Sequence, residues 1–190
     1  MRILLFDNYD SFTYNLVHLL EAADPAVSVD VVLNDNPDYK SWKNYDKLVI
    51  SPGPGLPGES GCLMDFISEV EGKKPLLGVC LGLQAIAVHY GGALLNLDKV
   101  LHGISLPTRI KDPDEPVFAG LSSSFFAGRY HSWVVQPQKL PDVLKCVASD
   151  DDGQIMAVRH RHHDTFAVQF HPESVLTPDG AKILANWIKT

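Results

Sequence analysis

The stretch Lys74 to Gly92, KPLLGVCLGLQAIAVHYGG, constrains the fold more than any other part of this chain. An apolar run from Pro75 to Val79 stops at Cys80, which has Gly78 two residues before it and Gly82 two after. Leu81–Tyr90 then has helical character and ends at Gly91. Strand, sharp turn, helix is the grammar of a sheet with helices packed on it. The G-x-nucleophile-x-G spacing is that of a nucleophile elbow, in which glycines permit a strained turn and close approach of strand to helix. A thiol at that turn sits near a helix N-terminus, where the dipole favours thiolate. The competing reading is a buried structural cysteine at a βα turn.

The same alternation runs through the first half. Arg2–Phe6 reads as a buried strand, Asp7–Ser11 as a polar loop and Phe12–Ala23 as a helix, with apolar residues at Phe12, Leu16, Leu19 and Leu20. Strands follow at Ser28–Leu33 and Asp46–Ile50, then a Gly/Pro loop, SPGPGLPGESG, and a helix over Cys62–Glu71. This order predicts a mostly parallel sheet with helices on both faces. In the second half Ile104–Ile110, Val143–Ser149, Ile155–Arg159 and Thr165–Phe170 read as short strands between turns, an antiparallel or mixed addition to the sheet. A last helix is expected with Thr177 as N-cap and Pro178 in its first turn. A chain of 190 residues, 45% hydrophobic, can bury a full core, and one domain over residues 1–190 is expected.

Charge and thiol usage exclude several classes. A net charge of −7 argues against a nucleic-acid surface, and no apolar run approaches the roughly 18 residues of a membrane span. The opening MRILLFDNYD reads as a first strand and not a signal peptide. Three cysteines, Cys62, Cys80 and Cys146, fit reduced thiols, and a cytoplasmic location is expected.

A nucleophile needs a base. His18 and His89 fall inside helices. The RHRHH tract, Arg159–His163, has arginines interleaved and is expected to be a solvated hairpin and not a metal site. His171 ends the strand-like run TFAVQF, and reactive groups of open α/β sheets lie at carboxyl ends of strands. Glu173, two residues on, can share a side of an extended segment with His171 and hold its tautomer. The loop Ser51–Ser60 has P-loop-like spacing from Gly53 to Gly58, but Glu59 stands where lysine is needed, and Pro54 and Pro57 lack N–H groups. It fits better as a loop that aims the N–H of Gly53 or a neighbour at an oxyanion.

With these residues in place the chain resembles the class I glutamine amidotransferases, the Cys-His-Glu glutaminases. The resemblance is carried by DNYDSFTYNL (Asp7–Leu16), SPGPGLP (Ser51–Pro57), GVCLGLQAI (Gly78–Ile86), RYHSWVV (Arg129–Val135) and FHPES (Phe170–Ser174), in order. The opening decapeptide is similar to glutaminase subunits of chorismate-aminating synthases, those for anthranilate and for p-aminobenzoate. The resemblance implies a flavodoxin-like domain that hydrolyses L-glutamine through a cysteinyl thioester. Ammonia would pass to a separate chorismate-binding synthase subunit, component I. It implies Cys80 as nucleophile, His171 as acid/base, Glu173 as orienter, and Gly53 and Leu81 as oxyanion donors. It implies that Gly53, Pro54, Gly55, Leu81, Gln84, Ser132 and Trp133 hold the substrate. No metal or cofactor is expected in this subunit. Two departures stand out: Leu83 where the family usually has histidine, and Ile104 after Leu101–Gly103, where lysine or a similar polar residue is common. The other readings are a free-standing γ-glutamyl hydrolase or peptidase on the same fold, and a non-catalytic module with a redox cysteine.

Overall fold

The computed structural model describes residues 1–190, apart from the side chain of Lys99. Nine strands form one sheet: β1 (Arg2–Asp7), β2 (Ser28–Leu33), β3 (Lys47–Ile50), β4 (Leu76–Val79), β5 (Leu94–Ile110), β6 (Ser124–Val135), β7 (Leu144–Ser149), β8 (Ile155–His160) and β9 (Thr165–Val168). Four α-helices accompany them: α1 (Thr13–Ala23), α2 (Leu63–Val70), α3 (Leu81–His89) and α4 (Gly180–Lys189). The strand order is β2-β1-β3-β4-β9-β8-β7-β5-β6. The first five strands in that order are parallel, in the 2-1-3-4-5 pattern of doubly wound folds. The remaining four pairings are antiparallel. A mostly parallel sheet therefore describes only the half built by β1–β4 and β9; the whole sheet is mixed.

Side chains on a strand alternate faces, and the core divides accordingly. Ile3 and Leu5 pack with Leu16 and Leu20 of α1 and Ile183, Leu184 and Trp187 of α4. Leu4 and Phe6 pack with Phe66 and Ile67 of α2 and with residues of α3. Phe6 stacks on Phe66 at 4.4 Å, and both are fully buried. Covering both faces explains why β1, β3 and β4 read as continuous apolar runs. Helix α3 is buried on all sides from Leu81 to Ala87. Leu83, the departure noted in the sequence, sits in this core with no exposed surface.

Three expectations need correction. Strand β5 begins at Leu94, ten residues before the predicted Ile104, because register shifts between Asn96 and Leu101 and between His102 and Ile104 interrupt its periodicity. Strand β6, a twelve-residue partner of β5, was not predicted as a strand at all. The residue before α4 is Asp179, not Thr177. Thr177 is buried, and its hydroxyl is already used: it donates to the His171 carbonyl at 2.7 Å and accepts the Gly128 N–H at 2.9 Å.

Candidate active site

Cys80 stands at the turn between β4 and α3 with φ 52° and ψ −100°, a conformation that L-residues rarely adopt. The surroundings impose it. The Cys80 N–H donates to the Val168 carbonyl at 2.7 Å, and its carbonyl accepts the Gln84 N–H at 3.1 Å. A Cβ on Gly78 would lie 2.7 Å from Ile86 Cδ1 and 2.8 Å from the Gly82 carbonyl carbon, so only glycine lets β4 approach α3 this closely. The elbow expected from the sequence is thus present, with Cys80 at 6% exposure.

His171 follows β9, beside β4 in the sheet, and its N–H donates to the Gly128 carbonyl of β6 at 3.1 Å. Its Nδ1 lies 2.6 Å from Glu173 Oε1. The predicted pair is present, but the backbone between is a turn and not an extended segment: the Ser174 N–H returns to the His171 carbonyl at 3.3 Å. Both residues are buried. The Tyr130 ring packs edge-on against the imidazole at 4.9 Å, and the Tyr130 hydroxyl is 3.0 Å from Ser174 Oγ. Burial opposes charge on His171, yet the Cys80 sulfur and then the Glu173 carboxylate outweigh it and hold the imidazole well above its usual pKa. Its Nε2 is buried with no hydrogen-bond partner, so the face that would exchange protons is uncommitted.

Two cavities meet at Cys80. One of about 400 Å³ is bounded by Gly53, Pro54, Gly55 and Leu81, and by Gln84, Ser132 and Trp133 across from them. All seven residues expected at the substrate thus share one cavity with the thiol. A second cavity of about 310 Å³ reaches Cys80 from the side of His171, Tyr130 and Asp10. Leu81 opens α3, where an N–H has no partner one turn back. Gly53 is wedged between neighbours: a Cβ there would meet Asn8 Cβ at 2.5 Å and Leu81 Cδ2 at 2.9 Å. The two polar loops are tied together, as the Asn8 N–H donates to Ser51 Oγ at 2.8 Å and Asn8 Nδ2 to the Ser51 carbonyl at 3.1 Å. Burial raises the Asp10 carboxyl in the second cavity, against the Phe12 N–H that it accepts.

Gln84 is placed differently from a free substrate ligand. Its Nε2 donates to the Trp133 carbonyl at 2.8 Å and contacts Gln169 Oε1 at 3.3 Å, joining α3 to β6. Gln169, fully buried, places Nε2 3.5 Å from the Cys80 sulfur. Sequence reasoning gave Gln169, Tyr130 and His131 no role in the site and read Thr177 only as a helix cap. The available signal for Gln169 was a polar residue inside the apolar run TFAVQF. His131 is 6% exposed, with neither ring nitrogen paired. Burial, Arg129 and His171 push it down to about 3.

The histidine tract is less solvated than expected. His160 is buried and accepts the N–H groups of His162 and His163 at Nδ1, closing the turn between β8 and β9. Among the described residues, no group of three or more His, Cys, Asp or Glu side chains is placed to hold a metal ion. Cys62 and Cys146 are free thiols, and Cys146 donates to the Ala148 carbonyl.

Comparison with known proteins agrees with this geometry. The family described as Glutamine amidotransferase class-I matches residues 4–190. The chain is 42% identical over 191 residues to the Aminodeoxychorismate synthase component 2 of Escherichia coli, covering 98% of each. It is 40% identical over 196 residues to the Anthranilate synthase component 2 of Pseudomonas putida, covering 100% of this chain and 97% of that one. It is 43% identical over 189 residues to the Bifunctional protein TrpGD of Thermotoga maritima, of which it spans only 32%. A solved structure, a "putative gmp synthase subunit a protein" from Thermoplasma acidophilum, superposes with a TM-score of 0.87 at 27% identity, over 100% of this chain and 92% of that one.

Proposed function

This chain belongs to the class I glutamine amidotransferase family, and we propose that it is the glutaminase subunit of a two-chain synthase that aminates chorismate. Residues 1–190 form one amidotransferase domain that acts in the cytoplasm. The observation that carries the reading is the Cys80 elbow beside the His171–Glu173 pair, opening on a cavity of about 400 Å³. The relatives named as component 2 of aminodeoxychorismate and anthranilate synthases support the rest, across nearly their full lengths.

The Cys80 sulfur attacks the side-chain carbonyl carbon of L-glutamine, its proton passing to His171. Charge gathers on the carbonyl oxygen, which the N–H groups of Gly53 and Leu81 receive; such donors are worth most where water is excluded. His171 returns the proton to the amide nitrogen, the C–N bond breaks, and ammonia leaves a glutamyl thioester. Water attacks the thioester, its proton passes by His171 to the sulfur, and glutamate departs. Glu173 holds the imidazole through Nδ1, which leaves Nε2 for both transfers. Gln84, Ser132 and Trp133 hold the substrate, with Pro54 and Gly55 opposite. The chemistry draws on this chain's own groups, with no metal or cofactor.

Ammonia passes to component I, which binds chorismate and makes p-aminobenzoate precursors for folate or anthranilate for tryptophan. The partner contacts the joined loops Asp7–Thr13 and Pro52–Gly58, beside the second cavity. No nucleic-acid or membrane partner enters this reading; the net charge is −7, and among the described residues no helix is long and apolar enough to cross a membrane.

Reconstitution with a chorismate-using synthase tests the reading. Cys80→Ala should remove glutamine-dependent product and leave ammonia-dependent product intact, while Cys62→Ala and Cys146→Ala stay active. Substantial glutamine use by Cys80→Ala would overturn it.

A further inference from the structure

Besides His171, the Cys80 sulfur has an amide beside it: Gln169 Nε2 donates to it at 3.5 Å. Which end of Gln169 faces the sulfur can be settled from the far end of a short relay. The Trp133 carbonyl can only accept a hydrogen bond. Gln84 lies 2.8 Å from it and must therefore present its NH₂. That NH₂ can only donate, so the Gln169 atom 3.3 Å away is the carbonyl oxygen. The other end of Gln169, the NH₂, is then the end against the sulfur. Gln169 has no exposed surface and Gln84 only 3%, so water does not compete for these groups.

We propose that Gln169 is a catalytic residue: its side-chain N–H supports the Cys80 sulfur, and the relay from Trp133 through Gln84 fixes the polarity of that contact. A sulfur that carries negative charge accepts a hydrogen bond more strongly than a thiol or a thioester does. The contact thus favours the form that attacks and weakens once the sulfur is acylated. The relay also connects the wall of the substrate cavity to the nucleophile, since Trp133 lines that cavity. This role rests on Cys80 being the nucleophile, but not on which amide it attacks.

The test uses the full chain and iodoacetamide, with alkylation of Cys80 followed by mass spectrometry of its peptide. Gln169→Met keeps length and volume and removes the donor; Gln169→Glu places a carboxylate oxygen against the sulfur. Both should alkylate Cys80 about 10- to 100-fold more slowly at neutral pH, the worth of a hydrogen bond to a charged group. The pH profile of the reaction should move upward in chains that circular dichroism shows to be folded at the assay temperature. Gln84→Met should give part of the same loss, and Gln84→Met with Gln169→Met should lose less than the sum, as for members of one network. Wild-type alkylation rates in a folded Gln169→Met or Gln169→Glu chain would overturn the proposal. So would strictly additive losses at Gln84 and Gln169. Alkylation needs no glutamine, so this outcome is separate from that of the Cys80→Ala reconstitution.

Discussion

In the parallel half, β1, β3 and β4 are covered on both faces and every residue of β3 and β4 is buried. In the antiparallel half, Leu95, Val100 and Phe126 of the β5–β6 ribbon are exposed. In the reaction as proposed, the first half supplies the nucleophile and the oxyanion loop, on strand ends that packing holds from two sides. The second supplies the Ser132–Trp133 wall, on a ribbon with register shifts. His171 lies between them, after the last parallel strand and bonded to β6. The cavity at Cys80 thus has one wall, with Gly53–Gly55, Leu81 and Gln84, on the parallel half and the other, with Ser132 and Trp133, on the ribbon.

The contact between the halves should be the most sensitive position. Glu173→Gln keeps a group within reach of His171 Nδ1 but replaces the carboxylate that favours the imidazolium. Glutaminase turnover should fall by an amount bounded by the roughly 10⁴ that the equivalent change costs a serine protease. Steady-state assay at saturating glutamine reads it; unchanged turnover in Glu173→Ala would reduce the triad to a Cys80–His171 dyad.

A glycine pair then tests rigidity directly. At Gly78 an added Cβ meets backbone at 2.8 and 2.9 Å, whereas at Gly128 the nearest atoms are the Leu176 Cβ at 3.0 Å and Ser174 Oγ at 3.2 Å. Gly78→Ala should displace the elbow and lower turnover about 10²-fold, the usual consequence of a misplacement near 1 Å. Gly128→Ala should cost only a few-fold. Similar losses in both, measured on folded protein, would erase the contrast between the halves.

The smallest effect concerns stability at His131 in β6. Its pKa falls from an ordinary value of about 6.5 when unfolded to about 3 in the fold. A depressed histidine gives stability that is complete above about pH 6.5 and is lost as pH falls toward 3. Between pH 7.5 and 5 the wild type should lose up to about 2 kcal/mol from this group. His131→Asn should lack that component, and urea unfolding at the two pH values would show it. Equal pH dependence in both chains would mean that the imidazole is not held neutral.

The same contrast governs what could be read from the sequence. Ser28–Leu33 was legible to the residue as β2 from its β-branched residues, and β4 and α3 to within one, because burial on all sides writes uninterrupted apolar runs and glycines mark the turns. Strand β6 was not, because Arg129, Tyr130, His131 and Ser132 look like a polar loop. Only the fold shows why such residues suit a strand: Arg129 is buried against Asp150 at 3.1 Å and the Pro107 carbonyl at 3.1 Å. In the site, Cys80, His171 and Glu173 follow from local spacing. Gln169 and Thr177 meet partners 89 and 49 positions away, and no local pattern records such contacts.

The two cavities joined at Cys80 shape the traffic of the reaction as proposed. With the glutamyl group in the larger cavity, the smaller one, beside His171, is a second approach to the thioester. Ammonia leaving and water arriving on the His171 side would share that opening. A partner seated over that opening would regulate traffic in both directions at once.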